Sequence, residues 1–568
     1  VTNPRVWVVS DSLVTVGSEE HLVLWNEFVD DDSPHTSLPM LIRRDRDSFR
    51  DEILRTLDDI AEFPMNGRRL REVLELEEGL SYLHMTLLWA KRWGELGVLP
   101  DAVKMLAFTK RLRETPPSKV VVHVENKYVA ESISLTCKRL GIPCASITAQ
   151  RRSPWSTLRA IRHLMRWFTF ASPSSETTDL FIADYLFRVD PKDLTAGTYR
   201  SGYWANLPDK IEQSGRSITW LHRFTPHPAV PNPPAARKAL KALPRHHLLD
   251  QVHGVKDAWR AWNTYRRIKK LEINPREAFI SRDCDLWPIF ERDWRESFRG
   301  SHPMSIAINM ENMRRLLHST DKRSLLYIYE NQPWEFALRH FAGSNCTAIA
   351  VPHATVRYWD LRYFVGENSR SLLPAQVAVN SPIAKEELLR GGYTHESLLD
   401  AEALMYLRAD KRGSSPSPRR GILVLGELEV ASSQRYLNWV ARLAGDRQIT
   451  FKPHPLIDAS RFTFDPHRVT VSAESADELI SKAEVVVLGA SGTAVLEAIS
   501  LGVPVITVLN PRELDLSVVP QHPLVRAVAT EAELAEMLNG QTQNNSLGDD
   551  VFCLDQQLTR WKQVLGLN

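Results

Sequence analysis

From residue 421 onward the apolar positions switch between two periods. "GILVLGE" (421–427), "QITFKPHP" (448–455), "RVTVSA" (468–473), "EVVVLGA" (484–490) and "VPVITVL" (503–509) are short, β-branched apolar runs. The segments "SSQRYLNWVARLAG", "SADELISKA" and "TAVLEAISLG" that separate them repeat at the helical period, with Ser or Thr at the start and Gly ending two of them. Strands of this kind alternating with helices predict a parallel sheet covered on both faces, a Rossmann-like α/β domain over 421–568 with a helical tail. The charged, Ser/Pro-rich "ADKRGSSPSPRR" (409–420) reads as the linker before it.

The first 408 residues carry the same alternation less regularly. "RVWVVSD" (5–11), "KVVVHVEN" (119–126), "PCASI" (143–147), "LLYIY" (325–329) and "CTAIAV" (346–351) are strand-like, and helical patterns follow several of them. They predict a second α/β domain over 1–408 with a large, mostly helical insertion at about 150–300.

At 568 residues the chain exceeds one hydrophobic core. Lys and Arg number 71 against 69 Asp and Glu, so no nucleic-acid partner is expected and any basic function is local. Five scattered cysteines without a CxxC pair fit a reducing cytosol, and the strand-like start shows no signal-peptide pattern. The apolar runs are too short for a spanning helix. "RRSPWSTLRAIRHLMRWFTF" (151–170), with five arginines, four aromatics other than histidine and no acid, fits either an anionic membrane surface or a helix packing its stripe on the domain.

Ligands of parallel sheets bind beyond the carboxyl ends of the strands. Lys452 and His454 stand at one such end, the histidine between two prolines, and "GASGT" at another, where Gly489, Ser491, Gly492 and Thr493 lead into a helix. Small residues, hydroxyls and free N–H groups make a phosphate site there, with Glu497 one helical turn on as a ribose acceptor. Neither a GxxxxGK[ST] loop nor a GxGxxG fingerprint is present.

"FKPHP" followed by "GASGTAVLEAISLGVPVI" resembles the donor-binding domain of GT-B glycosyltransferases. It is most similar to sialyl-, polysialyl- and Kdo transferases of surface polysaccharide synthesis, and more distantly to CDP-glycerol polymerases. "LSYLHMTLLWAKRW", "YIYENQPWEFAL" and "VPHATVRYWDLRYF" resemble bacterial surface carbohydrate biosynthesis proteins found among O-antigen genes. The resemblance implies a GT-B fold of two Rossmann-like domains facing across a cleft. It implies a CMP-sugar donor, with UDP and GDP open, whose phosphate meets His454, Ser491 and Thr493. It further implies a glycan or lipid-linked glycan acceptor, and work in the cytoplasm at the inner face of the bacterial inner membrane.

Such a transfer needs a base for the acceptor hydroxyl, or a carboxylate nucleophile if configuration is retained. Glu330 and His353 follow strands and fit these roles, with Asp11 and Glu125 in reserve. Alternatively Glu330 caps the following helix and His353 sits satisfied in a tight turn. Arg357 and Arg362 either hold a sugar carboxylate in a two-point fork or pair internally with Asp360. No metal or cofactor beyond the donor is expected, since no DxD pair ends a strand. A CDP-glycerol or ribitol phosphotransferase and a non-catalytic glycan-binding assembly partner are the competing readings.

Overall fold

The computed structural model describes residues 6–92, 97–145, 147, 156–170, 178–187, 189–227, 230–241, 243–317, 323–409, 419–540 and 551–567. Its α/β class and parallel strands match the sequence pattern. Three parallel sheets organise it.

The first holds β1 (Val6–Ser10), β2 (Glu20–Leu24), β3 (Thr36–Ser37) and β4 (Lys119–His123) in the order 3-2-1-4. The second holds β5 (Leu180–Leu186), β6 (Ile218–Phe224), β7 (His246–Leu248), β8 (Arg323–Ile328), β9 (Cys346–Val351), β10 (Gln376–Val379) and β11 (Leu398–Asp400) in the order 7-6-5-8-9-10-11. The third holds β12 (Ile422–Leu425), β13 (Ile449–Lys452), β14 (Val469–Val471), β15 (Val485–Gly489), β16 (Val505–Val508) and β17 (Val525–Val528) in the order 14-13-12-15-16-17. In the second and third sheets the order reverses beside the first strand, as in doubly wound dinucleotide-type folds. These are the two Rossmann-like units.

One expectation changes. The 150–300 stretch is not a helical insert, because β5, β6 and β7 come from it and pair in parallel with β8. Those strands alternate aromatic, histidine and charged residues, as in "ITWLHRF", which masks the continuous apolar run of a buried strand. The strands at 6–10 and 119–123, expected in the same sheet as 325–351, form their own. Residues 410–418 of the expected linker lie outside the described residues.

The five main helices used below are α1 (Ser156–Trp167), α2 (Pro233–Lys241), α3 (Gly254–Lys270), α4 (Ser301–Leu317) and α5 (Pro333–Ala342). The C-terminal tail, assigned from sequence to the third unit, packs on the second. Leu558, Trp561 and Leu565 share a core with Leu180, Ile182 and Trp220. The Glu402 carboxylate accepts the backbone N–H groups of Arg560 and Trp561 at 2.8 and 3.0 Å. Trp561→Ala is expected to cost about 3–5 kcal/mol, read as a lower urea midpoint at unchanged slope.

The first and third units touch directly. Arg43 bonds Glu533 at 2.6 Å and the Ala527 carbonyl at 3.0 Å. Phe28 packs against Ala490, Leu509 and Ala529. Among the described residues no helix is long and apolar enough to cross a membrane.

Candidate functional site

In the third sheet the order reverses between β12 and β15, so their carboxyl ends diverge and leave a crevice. A pocket of about 700 Å³ opens there. Lys452, His454, Ser491, Gly492 and Thr493 all line it, together with Glu427, Glu429, Asn510 and Glu513. Glu497 lies on the next helix, half-buried and outside the lining.

Each polar group has a definite setting. The His454 Nδ1 accepts the Leu456 backbone N–H at 3.2 Å, so the neutral ring carries its proton on Nε2 as a donor. Burial pushes its pKa below the ordinary histidine range, which keeps it neutral near pH 7. Lys452 Nζ donates to the Glu474 carbonyl at 2.5 Å. Thr493 is the N-cap of Ala494–Ser500, and its hydroxyl makes no capping bond. That helix has only seven residues, so its dipole contributes little and the side chains must hold an anion.

Glu427 is the residue that sequence reasoning missed. It follows β12, and its Oε1 accepts the Ser491 hydroxyl at 2.8 Å. Burial raises its pKa, while Ser491, Ser432, Arg435 and Arg357 act in the opposite direction. Gly489 lies beneath it, and a Cβ there would fall 1.9 Å from the Glu427 carboxyl carbon, so a larger residue would displace that carboxylate. The strand-end rule that found His454 applies equally to "LGE", and would have found both Glu427 and Asn510.

A second cluster forms beyond β8 and β9. The Glu330 Oε1 lies 3.4 Å from His353 Nε2 and 3.5 Å from Arg362 Nη1. Glu330 does not cap α5. Gln332 is the N-cap, and Glu335 Oε1 accepts the backbone N–H groups of Glu330 and Gln332, both at 3.0 Å. Burial raises the Glu335 pKa to about 8. The Glu330 carboxylate is thereby left to face His353, whose ring stands edge-on to Tyr203 with centroids 5.0 Å apart.

Arg362 forks onto Asp360 through two bonds of 2.7 Å, so the internal pair expected as the alternative is present. Arg357 is half-buried in the same loop, and its charge acts on Glu427 across the seam. The loop is anchored by Trp359, Leu361, Tyr363 and Phe364, all buried. Lys91 donates to the Phe364 carbonyl beneath it.

Asp11 and Glu125 come together elsewhere. Asp11 accepts the Glu125 backbone N–H at 2.7 Å and the Asn26 amide at 2.8 Å. It joins the ends of β1 and β4 in the first sheet, and its oxygens serve that turn. Among the described residues no group of three His, Cys, Asp or Glu is arranged to hold a metal ion.

No family model matches the chain. No curated protein matches it either. Solved structures share its shape distantly. A calicheamicin glycosyltransferase is 11% identical at a TM-score of 0.37, covering 65% of this chain and 92% of that one. MurG of Acinetobacter baumannii is 14% identical at 0.35, covering 65% and 92%. The UDP-GlcNAc 2-epimerase of Neisseria meningitidis, bound to UDP-GlcNAc, is 12% identical at 0.34, covering 63% and 90%.

Proposed function

We propose that this chain is a glycosyltransferase that moves a sugar from a nucleotide donor to a bacterial surface glycan such as O-antigen or capsule. The observation that carries the reading is the pocket at the reversal point of the third sheet, lined by His454, Ser491 and Thr493. A neutral Nε2–H, the Thr493 hydroxyl and an ammonium within one crevice suit a donor phosphate and its leaving charge, and the Ser491 hydroxyl joins them when it turns from Glu427. CMP is our preferred nucleotide, with an acidic nonulosonic acid or Kdo as the sugar, and no cofactor beyond the donor.

The base belongs to the second unit in this reading. His353 Nε2 takes the acceptor hydroxyl proton as the glycosidic bond to phosphate breaks, and the Glu330 carboxylate, 3.4 Å from that nitrogen, stabilises the imidazolium that forms. Arg357 then meets the donor's carboxylate, since Arg362 is already forked onto Asp360. The acceptor is a glycan, lipid-linked when the enzyme works at the inner face of the bacterial inner membrane.

A thermal-shift series with CMP, UDP, GDP and CDP tests the donor site. Ligand at 100 times its Kd adds roughly 2.7 kcal/mol of stability, so CMP is expected to give the largest shift. A donor screen read by CMP release follows. Turnover of CDP-glycerol without turnover of any CMP-sugar would overturn the choice in favour of phosphotransfer.

A further inference from the structure

Six of the eleven large apolar side chains exposed among the described residues lie on α1, on α3 and on the strand ends between them. They are Leu158, Ile161, Met165, Phe170, Val255 and Trp259. Phe170 is 83% exposed, Val255 71% and Trp259 63%. Folding brings these residues together although α1 and α3 are far apart in sequence. The two-residue strands Phe168–Thr169 and Val252–His253 pair in parallel, so α1 ends where α3 begins. Both helices also pack on α4.

The charge on this face is one-sided. The helices α1, α2 and α3 carry three, three and six Lys or Arg respectively, against a single acid, Asp257. Asp257 is already taken by Arg315 at 3.2 Å, and Arg267 is drawn aside to Glu77. Arg237 of α2 donates to the Arg166 carbonyl at 3.2 Å, which ties α2 to α1. An ordinary solvated surface intersperses both signs, and this chain is nearly neutral overall.

We infer that α1, α2 and α3 form one docking face for an anionic lipid bilayer. Phe170, Val255 and Trp259 enter the boundary between head groups and acyl chains, while Arg162, Arg166 and Lys256 meet lipid phosphates. Charge complementarity selects this occupant: four aliphatic and two aromatic side chains set among arginines and lysines suit acyl chains below anionic head groups. The inference deepens the reading of a lipid-linked acceptor and rests on it for its purpose. Residues 151–155 of the expected basic segment lie outside the described residues, and 156–170 form part of a composite surface, so α1 alone is insufficient.

Co-sedimentation of the full chain with vesicles tests it, and needs neither donor nor turnover. Failure of the donor screen therefore leaves this result intact, and the reverse also holds. Binding to phosphatidylethanolamine–phosphatidylglycerol vesicles is expected, with weak binding to phosphatidylcholine and loss on adding salt. The double variants Trp259→Ala with Phe170→Ser, and Arg162→Glu with Lys256→Glu, are each expected to cut partitioning about 10- to 100-fold. All four positions are exposed, so far-UV circular dichroism and melting temperature should match the parent. Equal binding to neutral vesicles, no binding, or variants that bind like the parent would overturn the proposal. So would a dimer that Trp259→Ala abolishes in the absence of vesicle binding.

Discussion

Replacing His353 by alanine is expected to lower turnover by about 10²–10⁴-fold while nucleotide affinity stays unchanged. The separation follows from geometry. His353 and Glu330 sit beyond the second sheet, whereas the phosphate pocket belongs to the third. Removing the imidazole takes away the proton acceptor and leaves every pocket-lining side chain in place. Glu330→Gln keeps the shape but loses the charge that stabilises imidazolium, so its loss should grow where a protonated histidine matters. Single-turnover kinetics with a parallel nucleotide titration decides the matter. If affinity falls with kcat, His353 is a binding residue. Full activity of His353→Ala would remove the proposed base.

The second large effect is on binding. His454→Ala is expected to weaken the nucleotide about 10- to 100-fold, the value of one hydrogen bond to a charged group. Its pH dependence has a defined sign. Burial holds the free imidazole below the ordinary histidine range, and a bound phosphate favours its protonated form. Affinity should therefore rise as pH falls through the bound-state pKa, and level off below the free-state pKa. A CMP-sugar phosphodiester keeps one negative charge throughout, so the slope should vanish in His454→Ala. Isothermal titration between pH 5 and 8 reads both the loss and the slope. A slope that persists in the variant would assign it to another group.

The donor half was legible because its signals are local. "FKPHP" and "GASGT" each combine a β-branched run with polar residues at its end, and the strand period places those residues on the ligand edge. Glu427 was equally local. Its role depends on a partner, Ser491, that stands 64 residues further along the chain. Glu330 was found by the same rule, but its role as cap or functional group depended on which acid reached the α5 N-terminus. Glu335, one helical turn inside, takes that role. Arg362 and Arg357 are five residues apart and chemically identical. Only the fold gives the two-point fork onto Asp360 to Arg362 and not to Arg357.

By itself the sequence determined the α/β class, the regular alternation of the last unit and five residues that line its pocket, Lys452, His454, Ser491, Gly492 and Thr493. These follow from apolar periodicity and strand ends, which depend on neighbours in the chain. Tertiary structure decided which strands share a sheet, where the tail packs, and that helices from 156–167, 233–241 and 254–270 form one basic, apolar face. Those outcomes depend on pairing between residues tens to hundreds of positions apart. The pairing energy lies in backbone bonds and buried contacts that one-dimensional patterning does not contain.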